Sequence, residues 1–223
     1  MRIVLLCALL LQALPTFSFD FSQNQLGWPG KRLDGVPCRG KGGGYGPFDY
    51  TDPKNQGETL NRVYRAHFTP QVEHLIHGQS GTILADLDYT LRAIPNQHQA
   101  LYAVIRLSFL GRRDYRGMLS YSHTSPTPPE CYLQRAIKYR PKDGQVKVLY
   151  GIYLYKRKRF KSAFRMFNAA IKLMPDSSEA YYNRGLTLVR LKRYDLAKDD
   201  ATRAYDLGFP LDGLRNKLKK LGY

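Results

Sequence analysis

The chain has 223 residues, and its 35 basic and 18 acidic side chains give a formal net charge of +17. A positive excess of this size is larger than solubility requires and favours an anionic partner. The sequence contains no Gly-x-Ser-x-Gly, Cys-x-x-Cys or Cys-x-x-Cys-His pattern, which excludes common hydrolase, redox and haem-attachment motifs. We therefore expect a protein that is not an enzyme and has no cofactor or metal.

The first 18 residues have the pattern of a secretory signal peptide. Arg2 precedes an apolar run from Ile3 to Leu14, and small residues follow before Phe19. The run is too short for a membrane-spanning helix, which needs about 20 apolar residues. Cleavage after Ser18 would leave 34 basic and 18 acidic residues, since only Arg2 is lost from the 35. We expect an exported protein, in the periplasm or outside the cell; an uncleaved anchor or a core helix is the alternative.

Residues 19–66 are predicted to form an irregular arm. Clusters of proline and glycine mark turns here, but the segment is too rich in aromatic residues for a disordered linker, and we expect it to pack on the helical part. The aromatic residues in question are Trp28, Tyr45, Phe48, Tyr50 and Tyr64 within the segment and Phe68 just after it. The glycine-rich stretch 39–46 lacks the Gly-Lys-Ser/Thr ending of a nucleotide-binding loop and runs into Pro47 instead of a helix.

Two cysteines remain after the predicted cleavage, Cys38 and Cys131. In an oxidising compartment an even pair favours a disulfide. It would tie the arm to the helical part across about 90 residues and stabilise the fold by a few kcal/mol. Two unpaired buried thiols are the alternative.

Helical periodicity begins at Thr69-Pro70, an N-cap residue followed by proline at the first helical position. Val72, Leu75 and Ile76 would form the apolar face of that short helix. A second helix is predicted from Thr82 to the proline at position 95, and residues 64–97 form a degenerate first unit. His74 and His77, three residues apart, have no third ligand nearby in the sequence and are predicted to be surface residues, not a metal site.

The second unit, residues 98–143, is longer than the others. Its closing proline, Pro141, lies 46 residues after Pro95, which indicates an insertion near residues 112–128. The second helix of this unit is predicted to start at Thr127-Pro-Pro-Glu130, a capping-box pattern, and to run to Tyr139.

Residues 144–177 and 178–211 repeat each other 34 residues apart. The small residues Gly151 and Ala163 recur as Gly185 and Ala197, at positions where we expect two helices to approach closely. A fixed period of this length predicts a helix–turn–helix solenoid. A capping helix is predicted over 212–221, with Leu214, Leu218 and Leu221 packed on the stack.

The spacing resembles the tetratricopeptide repeat. In residues 178–211 the matching positions are Tyr181, Gly185, Leu188, Tyr194, Ala197, Ala201, Ala204 and Pro210. The resemblance implies an all-α fold: a right-handed α-solenoid of about four helix–turn–helix units, spanning 67–223 and preceded by the irregular arm. It also implies a protein–protein interaction scaffold, since this family is a general protein-binding scaffold.

In this family the first helices of the units line a concave groove. The corresponding residues are Tyr102, Arg106, Phe109, Val148, Ile152, Tyr155, Tyr182, Asn183, Leu186 and Arg190. Asn183 matches the asparagine that contacts peptide backbone in peptide-binding members. Leu149 and Ile152 stand where a carboxylate clamp needs polar partners, so we expect an apolar, aromatic groove for an extended segment of a partner protein. The alternative is that the arm fills the groove in cis.

Basic residues concentrate at the turns between the two helices of each unit. They are Arg112, Arg113, Lys156, Arg157, Lys158, Arg159, Lys161, Lys192 and Arg193, and we call them the basic ridge. Stacked turns would form a continuous positive edge that attracts an anionic polymer such as lipopolysaccharide, cell-wall glycan or nucleic acid. An ordinary solvated edge is the alternative, and self-association by end-to-end stacking of the solenoid stays open.

Overall fold

The structure, a computed structural model, describes residues 26–110 and 127–223. The predicted signal peptide, Arg112, Arg113 and nearly all of the predicted insertion lie outside these residues. The elements in chain order are a 3-10 helix Pro53–Asn55, α1 Glu58–His67, α2 Pro70–Glu73, α3 Ile83–Ala93, α4 His98–Leu110, α5 Pro129–Tyr139, α6 Gly144–Lys156, α7 Phe160–Leu173, α8 Ser178–Arg190, α9 Tyr194–Asp206 and α10 Gly213–Lys219. None of the described helices is long and apolar enough to cross a membrane.

The fold is the predicted α-solenoid. Consecutive helices pack against each other along the chain, most extensively α6 with α7 and α8 with α9. The periodic alanines are fully buried, and a Cβ atom at Gly151 would lie 2.5 Å from the Phe167 ring. The small residues therefore sit at close helix contacts, as the repeat predicted. At Gly185 the nearest atom belongs to Leu214 of α10, so that glycine also makes room for the capping helix.

Local capping explains where several helices begin. The side chains of Asp143 and Ser177 accept hydrogen bonds from Val146 N and Ala180 N at the starts of α6 and α8. Thr82 does the same for Ala85 N at the start of α3. Such bonds satisfy backbone N–H groups that have no partner within the helix.

The region before residue 83 departs from the prediction. Helix α1 occupies 58–67, inside the segment expected to be irregular, and buries Leu60 and Val63. Helix α2 is a single turn, and Leu75 ends it in the left-handed conformation with φ 63°. Ile76 is 69% exposed, so the predicted apolar face ending at Ile76 is wrong.

Two terminal details of the helices also differ from the prediction. Helix α5 begins at Pro129 without a side-chain cap. Instead of completing a capping box, Glu130 accepts hydrogen bonds from Leu33 N at 3.0 Å and from the Tyr153 hydroxyl at 2.5 Å. At the other end of the chain, α10 stops at Lys219 and Leu221 is 44% exposed, so only Leu214 and Leu218 pack on the stack.

The described part of the arm packs on α5 and is bonded to it. The predicted disulfide between Cys38 and Cys131 is present. The Trp28 ring meets Tyr132 edge-on, with ring centroids 5.3 Å apart. Gln134 exchanges hydrogen bonds with the backbone of Lys31 in both directions. These contacts make the arm an integral layer over the second helix of unit two.

Candidate functional site

The first helices α4, α6 and α8 end at a shared surface, and contacts between rings and cations connect their ends. The Arg157 guanidinium lies 4.6 Å from the Phe109 ring centroid, which links the ends of α6 and α4. Arg190 at the end of α8 lies 4.8 Å from the Phe160 ring at the start of α7. We call the ends of these helices and the turns after α6 and α8 the turn edge. It combines exposed aromatic faces with positive charge.

The basic ridge forms the charged part of the turn edge. Its described members are Lys156, Arg157, Lys158, Arg159, Lys161, Lys192 and Arg193, all exposed. Within the described residues none of them forms an ion pair with a carboxylate. Arg157 donates to the Tyr153 hydroxyl and Arg159 to the Leu33 carbonyl. Among the described residues, no ion pair therefore neutralises the positive charge of this surface.

The two turns hold lysine where the backbone favours glycine. Lys158 and Lys192 have φ 59° and 60°, in the left-handed region. Both follow a helix closed by the same hydrogen bond, from Arg159 N to Leu154 O and from Arg193 N to Leu188 O. Helices ending this way commonly use glycine, because a side chain in this conformation costs roughly 1–2 kcal/mol.

The turn after α9 shows the glycine version of the same geometry. Gly208 has φ 81°, and Phe209 N donates to Ala204 O. The three turns therefore share one backbone conformation, and the two on the turn edge have a lysine at the residue with positive φ.

The structure divides the predicted groove residues into two groups. On α4 and at the end of α8, four side chains are exposed: Tyr102, Arg106, Phe109 and Arg190. Ile152, Tyr155, Asn183 and Leu186 are half-buried. Phe160 and Leu110, which the sequence reasoning did not assign to a site, add apolar surface beside them; Leu110 is 62% exposed. Phe160 lies 34 residues before Tyr194, which matches the family pattern, and this offset is the sequence signal that could have indicated Phe160.

The predictions that Val148 and Tyr182 line the groove are wrong, and the Asn183 side chain already has a hydrogen-bond partner in its own helix. Val148 is fully buried and lines no surface. Tyr182 stacks on Phe209, with ring centroids 4.0 Å apart. A Cβ atom at Gly213, the first residue of α10, would lie 2.6 Å from the Tyr182 hydroxyl, so the capping helix covers Tyr182. Burial accordingly raises the pKa of Tyr182. The Asn183 amide donates to the Glu179 carbonyl of its own helix.

Apart from the hydrogen bond that Arg159 donates to the Leu33 carbonyl, the described arm contacts surfaces other than the turn edge. Its hydrogen bonds to the helical part reach mainly α3, α5 and the starts of α4 and α7, as with Phe48 N to Ala93 O and the Tyr139 hydroxyl to Pro47 O. Over residues 26–57 the arm is therefore placed mainly on the side of the second helices. The aromatic rings Tyr102 and Phe109 stay 44% and 38% exposed.

A hydrogen-bonded chain of Tyr50, His98 and Asp143 was not anticipated from the sequence. The Tyr50 hydroxyl lies 2.5 Å from His98 Nδ1, and His98 Nε2 lies 2.9 Å from an Asp143 oxygen. With the ring proton on Nε2, His98 accepts from Tyr50 and donates to Asp143. Asp143 also lines a cavity of about 580 Å³ with Arg140.

The hydrogen-bonded group of Tyr50, His98 and Asp143 has a structural role. Burial, followed by the Asp143 charge, raises the pKa of Tyr50 to about 12, so the phenol stays protonated and donates. Burial alone would raise the pKa of Asp143, but hydrogen bonds and charge from His98 and its capping bond lower it. These three residues join the arm to the starts of α4 and α6, and none of the three is an activated nucleophile.

Comparisons with known proteins find similar solved structures. No protein-family model matches the chain, and no curated protein matches it. Among solved structures, a MamA RS-1 ArsTM double mutant is 21% identical and has a TM-score of 0.49; the match covers 74% of this chain and 84% of that one. YrrB, described as a TPR protein with an unusual peptide-binding site, is 18% identical with a TM-score of 0.39, covering 75% and 94%.

Proposed function

We propose that this protein is a non-enzymatic interaction scaffold that binds an extended, acidic segment of a partner protein along the turn edge and the adjoining exposed face of α4. The observation that carries the proposal is the run of exposed rings with cations over them, which pair with no carboxylate in residues 26–110 and 127–223. Tyr102 has Arg106 at 5.9 Å from its centroid, and Phe109 has Lys156 at 5.6 Å. Solenoid surfaces of this kind recognise extended chains.

The chemistry of the surface defines the segment that it would bind. Aromatic and aliphatic side chains of the partner would pack on Tyr102, Phe109 and Leu110. Carboxylates between these anchors would pair with Arg106, Arg157 and Arg190, for which guanidinium geometry allows two parallel hydrogen bonds. Burying the rings supplies most of the affinity, whereas the charges orient the segment and speed its encounter.

A second candidate function is binding of an anionic polymer by the basic ridge alone. It is favoured by the two lysines held in the left-handed conformation, since a peptide anchored by rings gives no reason for Lys192. Such binding depends on release of counterions and weakens steeply as salt rises. The two functions use neighbouring parts of one surface but respond differently to mutation and salt.

One titration series separates them. A labelled library of acidic peptides with aromatic or aliphatic anchors and, separately, heparin are titrated against the oxidised chain at 50 and 200 mM salt. Peptide binding should survive the higher salt and fall about tenfold or more in Phe109→Ala, because a large hydrophobic anchor is lost. Heparin binding should collapse with salt and in the triple reversal of Lys156, Lys158 and Arg159 to glutamate.

The matched control reverses three exposed cations, Lys138, Lys142 and Lys172, to glutamate. It has the same change in net charge, but these residues lie in the last turns of α5 and α7 and in the turn before α6, at the opposite ends of the hairpins from the turn edge. If peptide binding is as sensitive to the control as to the ridge reversal, the attraction is only to net charge and the scaffold proposal is wrong. Heparin binding without any peptide binding would leave the polymer function alone.

We further propose that the protein acts in the periplasm or outside the cell. The disulfide between Cys38 and Cys131 supports this, because such bonds persist in oxidising compartments and are rare in the cytosol. Alkylation of intact cells of the native source before lysis, followed by mass measurement, should find both cysteines protected. Free thiols in the freshly trapped protein would contradict export.

A further inference from the structure

We infer that a second, separate site on this protein binds a small tetrahedral oxyanion, in the cavity between the glycine-rich stretch of the arm and the helices α3 and α5. The cavity has a volume of about 130 Å³. Its lining includes Trp28, Lys41, Gly42, Gly43, Arg92 and Arg135. Three of these six residues, Lys41, Arg92 and Arg135, carry a positive charge.

Arg135 is the central group of the site. It is 3% exposed, and one face of its guanidinium lies 5.1 Å from the Trp28 ring centroid. Its hydrogen bonds go to the carbonyls of Leu26, Leu91 and Arg92. In the part of the chain that the structure describes, no carboxylate pairs with it. The Asp88 charge favours the Arg135 cation without pairing with it, so the charge of this buried guanidinium is only partly compensated, which is costly unless an anion binds.

The charges around Arg135 add to the imbalance. Arg92 Nε pairs with Asp88 at 3.0 Å, and Arg92 Nη1 donates to the Gly42 carbonyl. Asp88 is thus already used, and it also accepts from the Tyr132 hydroxyl. Burial, and then the neighbouring Arg92 charge, lower the pKa of Arg135 to about 10. The environment therefore disfavours this cation in the absence of a bound negative charge.

The glycine-rich stretch supplies room and unpaired donors. A Cβ atom at Gly42 or Gly43 would meet nothing within 4 Å. The backbone N–H groups of residues 41–46 donate to no other group among the described residues. Backbone N–H groups that have no protein partner can donate to a bound oxyanion. The stretch that lacks a nucleotide-binding motif thus still contributes to an anion site.

The size of the cavity limits the ligand. One water takes up about 30 Å³ in the liquid, so a cavity of about 130 Å³ holds about four waters or one phosphate or sulfate group. Pockets that enclose ligands the size of a nucleotide have about 300–1,000 Å³. The planar fork of Arg135 fits phosphate and sulfate oxygens. The same chemistry arises from a free ion or from a phosphate ester on a partner.

Calorimetric titration of the oxidised full chain with inorganic phosphate, at constant ionic strength set with sodium chloride, tests the site. We expect saturable binding to the unmodified chain. Gly43→Asp places a carboxylate at open space beside the cations and should weaken phosphate binding at least about tenfold, the effect of losing one charge-assisted hydrogen bond. Gly43→Asn, of the same shape but neutral, should bind nearly as the parent does.

A second pair of variants guards against effects of net charge. Lys41→Gln should weaken binding about threefold, the value of one exposed charge, whereas Lys54→Gln, an exposed cation outside the cavity, should not. Equal binding by Gly43→Asp and Gly43→Asn, or no heat beyond that of chloride, overturns the inference. Binding of inorganic phosphate alone identifies a free ion, and additional binding of O-phosphoserine identifies an ester group. Preference for acetate over both would contradict a tetrahedral ligand.

Discussion

Replacing Lys158 and Lys192 with glycine should stabilise the fold while weakening the turn edge. The left-handed conformation, φ 59° and 60° at these residues, costs a side-chain-bearing residue roughly 1–2 kcal/mol. The greater freedom of glycine in the unfolded chain offsets about 0.5–1 kcal/mol of that. Each change should therefore add about 0.5–1 kcal/mol to the free energy of unfolding.

Urea denaturation and thermal melting of the two single variants and the double variant measure this gain. The sites belong to different repeats, so their effects should add, and the double variant should melt about 4 °C higher. Heparin affinity should fall in the same variants. Lys158→Ala is the control, because it removes the charge but keeps the side chain in the left-handed region.

The reverse change tests the same geometry in the third turn. Gly208→Lys introduces a side chain at φ 81° and should lower the free energy of unfolding by about 1 kcal/mol. The reasoning fails if Lys158→Ala stabilises as much as Lys158→Gly, because the gain would then come from removing repulsion between cations. It fails equally if Gly208→Lys is neutral.

Three further predictions concern the arm and the repeat contacts. Cys131→Ser should lower the free energy of unfolding by about 2–5 kcal/mol, because the bond closes a separation of 93 residues; urea denaturation with and without reductant measures it, and the variant should no longer respond to reductant. Gly151→Ala should cost about 1–3 kcal/mol, since its Cβ would meet the Phe167 ring at 2.5 Å; a melting temperature equal to the parent's would contradict that close contact. The lowered pKa of Asp143 stabilises the fold above its unfolded value of about 4, and this contribution disappears as the pH falls through the lowered folded value. Asp143→Asn should therefore be less stable at pH 6 and lose less stability between pH 5 and 2, which melting curves across that range would show.

The repeated segment was predictable because its signals are local and periodic. Small residues recur where helices touch, and residues 144–211 fold into two hairpins whose small residues sit at buried contacts. Long-range chemistry was not predictable in this way. Glu130 matched a capping box, but its carboxylate is used by Tyr153 and Leu33, far away in the sequence. Tyr182 sat at a groove position by repeat offset, yet the helix after the last repeat covers it.

The arm compensates for a weakness that the second unit has and the later units lack. A short turn joins α6 to α7, and those helices pack extensively. By contrast, 18 residues lie between the end of α4 and the start of α5, and these two helices pack less extensively against each other. The arm supplies what that hairpin lacks: a disulfide on α5, Trp28 against Tyr132, and a carboxylate of α5 shared between Leu33 and Tyr153 of α6.

These arm contacts lie mainly on the side of the second helices, which explains how the chain stabilises its irregular unit without covering the first helices. The turn edge can then keep unpaired cations and exposed rings at no cost to the contacts that hold the hairpins together. Because the arm also brings the glycine-rich stretch against Arg135, opening the disulfide should loosen the oxyanion site before it affects the turn edge. The two proposed sites are in this sense built on separate supports within one solenoid.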